Sequence, residues 1–109
     1  MPETRKVLGQ SNPLAATLTD AYTVPAVTEV VVSTITVANR SAVATSFRVS
    51  IAPAGAADDD EQYIYYDISI PANDTFAATL GLTLATTDVI RVYATLATLS
   101  FSVFGVELT

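Results

Sequence analysis

From Ala44 almost to the C-terminus, apolar and polar side chains alternate one for one. In Ala44–Ala52, Phe47, Val49 and Ile51 share one face, and Ser46, Arg48 and Ser50 share the other. In Asp74–Leu84, Phe76, Ala78, Leu80, Leu82 and Leu84 oppose Thr75, Ala77, Thr79, Gly81 and Thr83. Asp88–Leu96 places Ile90, Val92, Ala94 and Leu96 inward against Arg91, Tyr93 and Thr95, and Thr98–Val103 repeats the pattern with Leu99, Phe101 and Val103. Successive side chains leave a strand on opposite sides, so this period buries one face of a sheet and wets the other. A helix needs apolar residues three and four apart, a spacing these segments lack.

Turn chemistry separates the runs. Val24-Pro25 ends a strand over about Ala15–Thr23, and Asn39-Arg40-Ser41 ends the Val27–Ala38 run. Pro53-Ala54-Gly55 opens an acidic loop, Pro71-Ala72-Asn73-Asp74 divides two strands, and Ala85-Thr86-Thr87-Asp88 and Ala97-Thr98 close the last hairpins. The spacing predicts seven or eight strands joined by sequential hairpins: an all-β, antiparallel β-sandwich, jelly-roll or Ig-like. With 109 residues, one domain over 14–109 is expected, preceded by an extended N-terminal arm over 1–13.

Composition removes whole classes of activity. The net charge is −6, and only Arg5, Lys6, Arg40, Arg48 and Arg91 are positive, so no basic surface can track a nucleic-acid backbone. The absence of Cys and His excludes disulfides, thiolate nucleophiles, imidazole metal sites and a Ser-His-Asp triad. No cofactor is expected. No run approaches the roughly 20 apolar residues of a membrane helix, and the start of the chain lacks a signal-peptide core, so no membrane contact and no export are expected. Only 15% of residues are charged, against about 25% in an ordinary soluble domain. A surface so poor in charge points to coverage by other molecules.

Few constellations stand out. The arm is non-periodic yet holds two of the five cations. It reads as an assembly contact through Arg5, Lys6, Val7 and Leu8 in preference to a frayed terminus. Asp58-Asp59-Asp60-Glu61 lacks the alternate spacing of a calcium loop and reads as a solvated tip. In the Gln62–Ile70 stretch, strict alternation puts Ile64, Tyr66, Ile68 and Ile70 on one face and Tyr63, Tyr65 and Asp67 on the other. Exposed Tyr63 and Tyr65 suit sheet packing, a protein interface or stacking on a sugar ring. Phe104, Val106 and Leu108 form an outward apolar strip unless a β-bulge at Gly105 restores their phase. Asp67, Asp74 and Asp88 are the carboxylates a glycosidase could use, but no pair has a fixed spacing, and the chain is read as a non-enzyme.

Several motifs carry a resemblance. Val7-Leu8-Gly9-Gln10-Ser11 is followed by Leu18-Thr19-Asp20-Ala21-Tyr22-Thr23-Val24-Pro25-Ala26, then by Val37-Ala38-Asn39-Arg40-Ser41 and Phe47-Arg48-Val49-Ser50-Ile51-Ala52-Pro53. Tyr65-Tyr66-Asp67 and Ile70-Pro71-Ala72-Asn73-Asp74-Thr75-Phe76 complete the set. Over nearly its whole length the chain resembles small β-sandwich proteins encoded among the virion genes of tailed bacteriophages. Ala21, where a larger apolar residue is expected, and the long acidic loop depart from that pattern. The resemblance implies a structural role in the virion, assembled in the host cytoplasm, and no reaction. It fits a decoration (cement) protein that binds the major capsid protein, with a tail, neck, baseplate or fibre component as the alternative and a glycan- or receptor-binding module as a further one. A homo-oligomer, a trimer above others, is expected.

Overall fold

A computed structural model describes residues 2–109. It contains eight strands: β1 (Glu3–Ser11), β2 (Thr19–Thr23), β3 (Glu29–Asn39), β4 (Thr45–Ala52), β5 (Tyr63–Ile70), β6 (Thr75–Leu84), β7 (Val89–Ala94) and β8 (Leu99–Leu108). They form two antiparallel sheets, in the orders β1-β8-β3-β6 and β2-β7-β4-β5. The pairs β1–β8, β2–β7, β3–β6 and β4–β5 are those of one long hairpin rolled upon itself, which makes this β-sandwich a jelly roll. Among consecutive strands only β4 and β5 share a hairpin. The other connections cross between sheets, where sequential hairpins were expected.

Alternation produces the core directly. Val30, Val32, Ile35 and Val37 of β3 face Phe47 and Val49 of β4 and Ile90 and Val92 of β7, with Leu99, Phe101 and Val103 of β8 beside them, all buried. Phe47 lies at the aromatic centre, 5.1 Å from the Phe76 ring and 6.0 Å from Phe101. Such tilted and edge-on contacts add to simple area burial. Leu96, expected inward, lies past the end of β7 and is exposed.

Turn residues anchor the loops as their chemistry predicts. Asn39, buried, donates through Nδ2 to the Val43 carbonyl at 2.9 Å and the Pro71 carbonyl at 3.1 Å, and its Oδ1 accepts from the Ser41 amide. Asp88 accepts from the Ala54 amide at 2.9 Å and the Ala85 amide at 2.8 Å, and Asp74 accepts from the Thr75 amide. Asp59 accepts from the Asp60 amide and so caps a short 3-10 turn inside the acidic loop.

The N-terminal segment corrects the sequence reading. Met1 lies outside the described residues, but Glu3–Ser11 is the edge strand β1, paired with β8 from Glu3–Leu108 to Ser11–Phe101. What holds the segment is the chain's own sheet. Its inward positions include Lys6, Gly9 and Ser11, none of them a large apolar residue, so the strand hides from a hydrophobicity pattern; only Leu8 enters the core. β1 and β3 each bulge by one residue relative to the uninterrupted β8, at Leu8 and Ser33. Of the two readings offered for Gly105, the bulge is absent from β8 and sits on its neighbours, which leaves the outward strip.

Where β1 and β8 end, Tyr22 Oη donates to Glu107 Oε2 at 2.6 Å, and Lys6 Nζ lies 3.4 Å from Oε1. The Tyr22 hydrogen bond, aided by Lys6, holds the Glu107 carboxyl below its usual range, while burial and the carboxylate push the Tyr22 phenol up. A carboxylate with a lowered folded-state pKa stabilises the fold above its unfolded value and loses that contribution as pH falls through the folded value. Tyr22→Phe is therefore expected to cost about 1.5–3 kcal/mol at pH 7, as for hydrogen bonds to charged groups. In urea titrations repeated in acid, the gap to the parent protein should shrink steadily below about pH 4.3, the free-carboxyl value. A pH-independent gap would show that the hydroxyl acts by packing alone.

Candidate functional site

The outer face of the β2-β7-β4-β5 sheet carries a cluster that strict alternation does not predict. β5 contains two more residues than its partner requires, so the register with β4 slips between Phe47 and Val49 and again between Val49 and Ser50. Asp67, at φ +53°, takes up the first slip in the left-handed region that Asp tolerates. The slip reverses the tyrosines. Tyr65 turns inward, 5.3 Å from the Phe76 ring and 6.4 Å from Phe47, which corrects its assignment to the surface. Tyr66 turns outward and is 55% exposed, in place of its expected inner position.

Arg48 projects from β4 between two rings. Its guanidinium carbon lies 4.1 Å from the Tyr66 centroid and 4.4 Å from that of Tyr93 on β7. Nε donates to Asp67 Oδ1 at 2.6 Å, and this bond raises the Arg48 pKa further. Tyr63 meets Tyr66 edge-on at 5.1 Å and donates to Asp58 Oδ2 at 3.0 Å. Burial, then the Asp58 carboxylate, raises its phenol pKa. Beside the cluster, Arg91 bridges Asp20 (3.0 Å) and the Ala56 carbonyl (2.7 Å). The result is a stiff platform of Tyr and Arg, the residue types most enriched where binding energy concentrates.

The other outer face carries the apolar strip. Phe101, Val103 and Gly105 point inward in phase, so Phe104, Val106 and Leu108 stand half-exposed on the outside. Val7 is opposite Phe104 and is 45% exposed, and Val31 is opposite Val106. Arg5 lies at the margin of this strip, highly exposed and 4.0 Å from Glu3, a separation at which a surface pair contributes little. Lys6 reaches Glu107 on the same chain, and Leu8 is buried, so Leu8 is a core residue and not a contact.

Comparison of the chain with protein-family profiles, with curated proteins and with solved structures gives no match. These comparisons therefore assign the chain to no family. Of the residues singled out from sequence, Val7, Phe104, Val106 and Leu108 come together on one face. Tyr63 joins the opposite platform, and Tyr65 and Leu8 belong to the interior. Sequence reasoning placed Arg48 and Tyr93 outward but could not show them to be neighbours. That required the β4–β7 pairing, in which Arg48 and Tyr93 are direct partners. The carboxylates weighed for catalysis have structural partners: Asp67 pairs with Arg48, and Asp74 and Asp88 hold turns.

Proposed function

We propose that this chain is a non-enzymatic structural component of a tailed-phage virion, a decoration protein seated on the major capsid protein of the assembled head. The observation that carries the reading is the apolar strip of Val7, Val31, Phe104, Val106 and Leu108, set in an outer face whose centre and β6 side are Thr, Ser, Ala and Gly, with Glu3, Arg5, Gln10 and Glu29 at its border. A contiguous apolar strip on an outer sheet face marks a contact surface. The motif resemblance supplies the setting, and low charge elsewhere suits a molecule covered on assembly. Jelly rolls serve in capsids and in lectins alike, so the fold by itself does not choose between them. Binding only the assembled shell would stabilise it by mass action.

The test is direct. Purified protein added to tail-free heads should bind in hundreds of copies, on the order of the number of capsid subunits, and Val106→Glu should raise the dissociation constant at least tenfold, or about 1.4 kcal/mol, without changing the fold. No binding to heads, or an unchanged dissociation constant for Val106→Glu, removes the decoration reading. A handful of copies located on tails supports the neck, baseplate or fibre alternative. The exposed Tyr66 ring favours a second reading, a glycan- or receptor-binding module on the Arg48 platform. Glycan-array binding abolished by Tyr66→Ala would establish it, and a blank array would dispose of it. Tyr65→Ala is the wrong probe, since it damages the core.

A further inference from the structure

Four strands lie at sheet edges, and three are protected against pairing. β1 carries Glu3, Arg5 and Lys6 and a bulge at Leu8. β2 is five residues long and contains Asp20. β5 is interrupted by two register slips and holds Asp67. Short length, charge and bulges are the usual means by which native proteins keep an edge from adding a strand.

β6 has none of the charge and is not short. Its ten residues, Thr-Phe-Ala-Ala-Thr-Leu-Gly-Leu-Thr-Leu, include neither a charged side chain nor a proline, and it is the longest edge strand. It meets β3 with one register shift, yet its own alternation is unbroken from Thr75 to Leu84. It also lies on the more open flank. On the β1–β2 side, Gly9 packs against the Ala21 main chain so closely that a Cβ there would collide with the carbonyl oxygen. On the β5–β6 side, Phe76 and Tyr65 meet through their rings, and Phe76, Leu80 and Leu82 pack on the core while remaining half-exposed. Their counterparts on β3, Val30, Val32, Ile35 and Val37, are at most 1% exposed.

We propose that β6 is a self-association edge, on which a second copy of this chain adds its own β6 antiparallel about a two-fold axis through Thr79. The sequence is complementary to itself in that register. On the outer face Thr75 falls opposite Thr83, Ala77 opposite Gly81, and Thr79 opposite its own copy. On the inner face Phe76 meets Leu82, and Ala78 meets Leu80. Thr–Thr and aromatic–aliphatic cross-strand pairs stabilise a sheet, and an isologous contact requires this kind of self-complementarity. Charge selects the same occupant. Each copy carries −6, and of the four edges β6 is the one along which two such chains can approach without like charges in contact. Asp74, just before β6, would lie about 34 Å from the Asp74 of its copy at the rise of an extended strand. The two β1-β8-β3-β6 sheets would become one continuous sheet, and the exposed flanks of Phe76, Leu80 and Leu82 would be covered. The pairing is two-fold, in place of the trimer expected from the sequence, and it requires no virion partner.

Sedimentation equilibrium and cysteine cross-linking on the full chain test it. The parent protein should sediment at twice 11.4 kDa. Thr79→Lys, which sets two ammonium groups face to face, should sediment as a monomer with an unchanged circular dichroism spectrum, and mixing it with Thr79→Glu should restore the dimer. The chain has no Cys, so Thr79→Cys places a single thiol on the axis. Cα atoms of directly opposed residues are about 4.5–5.5 Å apart, within disulfide reach, so this variant should oxidise to a covalent dimer. Thr83→Cys, opposite Thr75 and about 27 Å from its own copy, should not. A parent protein that is monomeric or trimeric, a dimer unaffected by Thr79→Lys, or cross-linking by Thr83→Cys as efficient as by Thr79→Cys, would each overturn the proposal.

Discussion

Deleting residues 2–12 is expected to abolish cooperative folding. The segment looked from sequence like a removable arm, whose loss should cost docking and spare the sandwich; the fold reverses that expectation. β1 pairs with β8 over Glu3–Ser11 and closes one flank of the sandwich. Without it β8 changes from a central strand to an edge with a row of unpaired amides and carbonyls, and Phe101 and Val103 lose the strand beside them. Loss of the buried Leu8 side chain alone is worth about 2–5 kcal/mol. The Tyr22–Glu107–Lys6 network loses Lys6 as well. Against a total stability of about 5–15 kcal/mol, these losses leave little or nothing. The measurement is a thermal melt followed by circular dichroism. A sigmoidal transition is expected for the parent and none for the truncated chain, which should collect in the insoluble fraction through the bare β8 edge. A soluble truncated protein with a sharp melt would mean that the pairing with β8 is dispensable.

Gly105→Ala is expected to destabilise the fold strongly. A Cβ at Gly105 would collide with the Val31 carbonyl oxygen, 2.9 Å from Leu8 Cδ1 and 3.0 Å from Val32 Cα. Two of those three atoms are backbone, in the strand that bulges at Ser33, so relief requires moving β3 itself. Overpacking of this kind costs about 3 kcal/mol at the upper end of its usual range. For a domain of this size the melting temperature should fall by roughly 12–24 °C. Gly81→Ala is the internal control. Its Cβ meets nothing within 4 Å, so the change should stay within about 0.5 kcal/mol of the parent. Equal losses at both positions would point to a general intolerance of alanine in these strands and away from the contact at Val31.

The difference between these two glycines shows what was legible. Alternation places Gly81 on the outer face and Gly105 in phase with Phe101 and Val103, but only the close approach of β3 makes one indispensable and the other replaceable. The same holds for the tyrosines. Counting by twos from Ile70 assigns Tyr66 inward and Tyr65 outward, and the one-residue surplus of β5 over β4 between Ile68 and Tyr65 exchanges them. Nothing local to Tyr-Tyr-Asp encodes that surplus. It is imposed by Phe47 and Val49, which fix where Ile68 and Tyr65 must meet them. β1 was missed for a related reason: at the rim of a sandwich the inward positions need not be apolar, so the period-two signal fades although the strand is fully paired.

Periodicity and turn chemistry alone carry the class of fold, the positions of most strands and turns, the aliphatic and aromatic core, and the outward placement of Arg48 and Tyr93, whereas the side taken by Phe104 and Val106 waited on the unbroken β8. Side-chain periodicity and turn residues act over a few positions along the chain. The tertiary structure alone decided the jelly-roll order, the recruitment of residues 3–11 as a strand, the sites of the bulges, the neighbours of Arg48 and the bareness of the β6 edge. Each depends on pairing between segments far apart in the chain, where register is set by how two or three strands must fit at once, and no single strand carries that information.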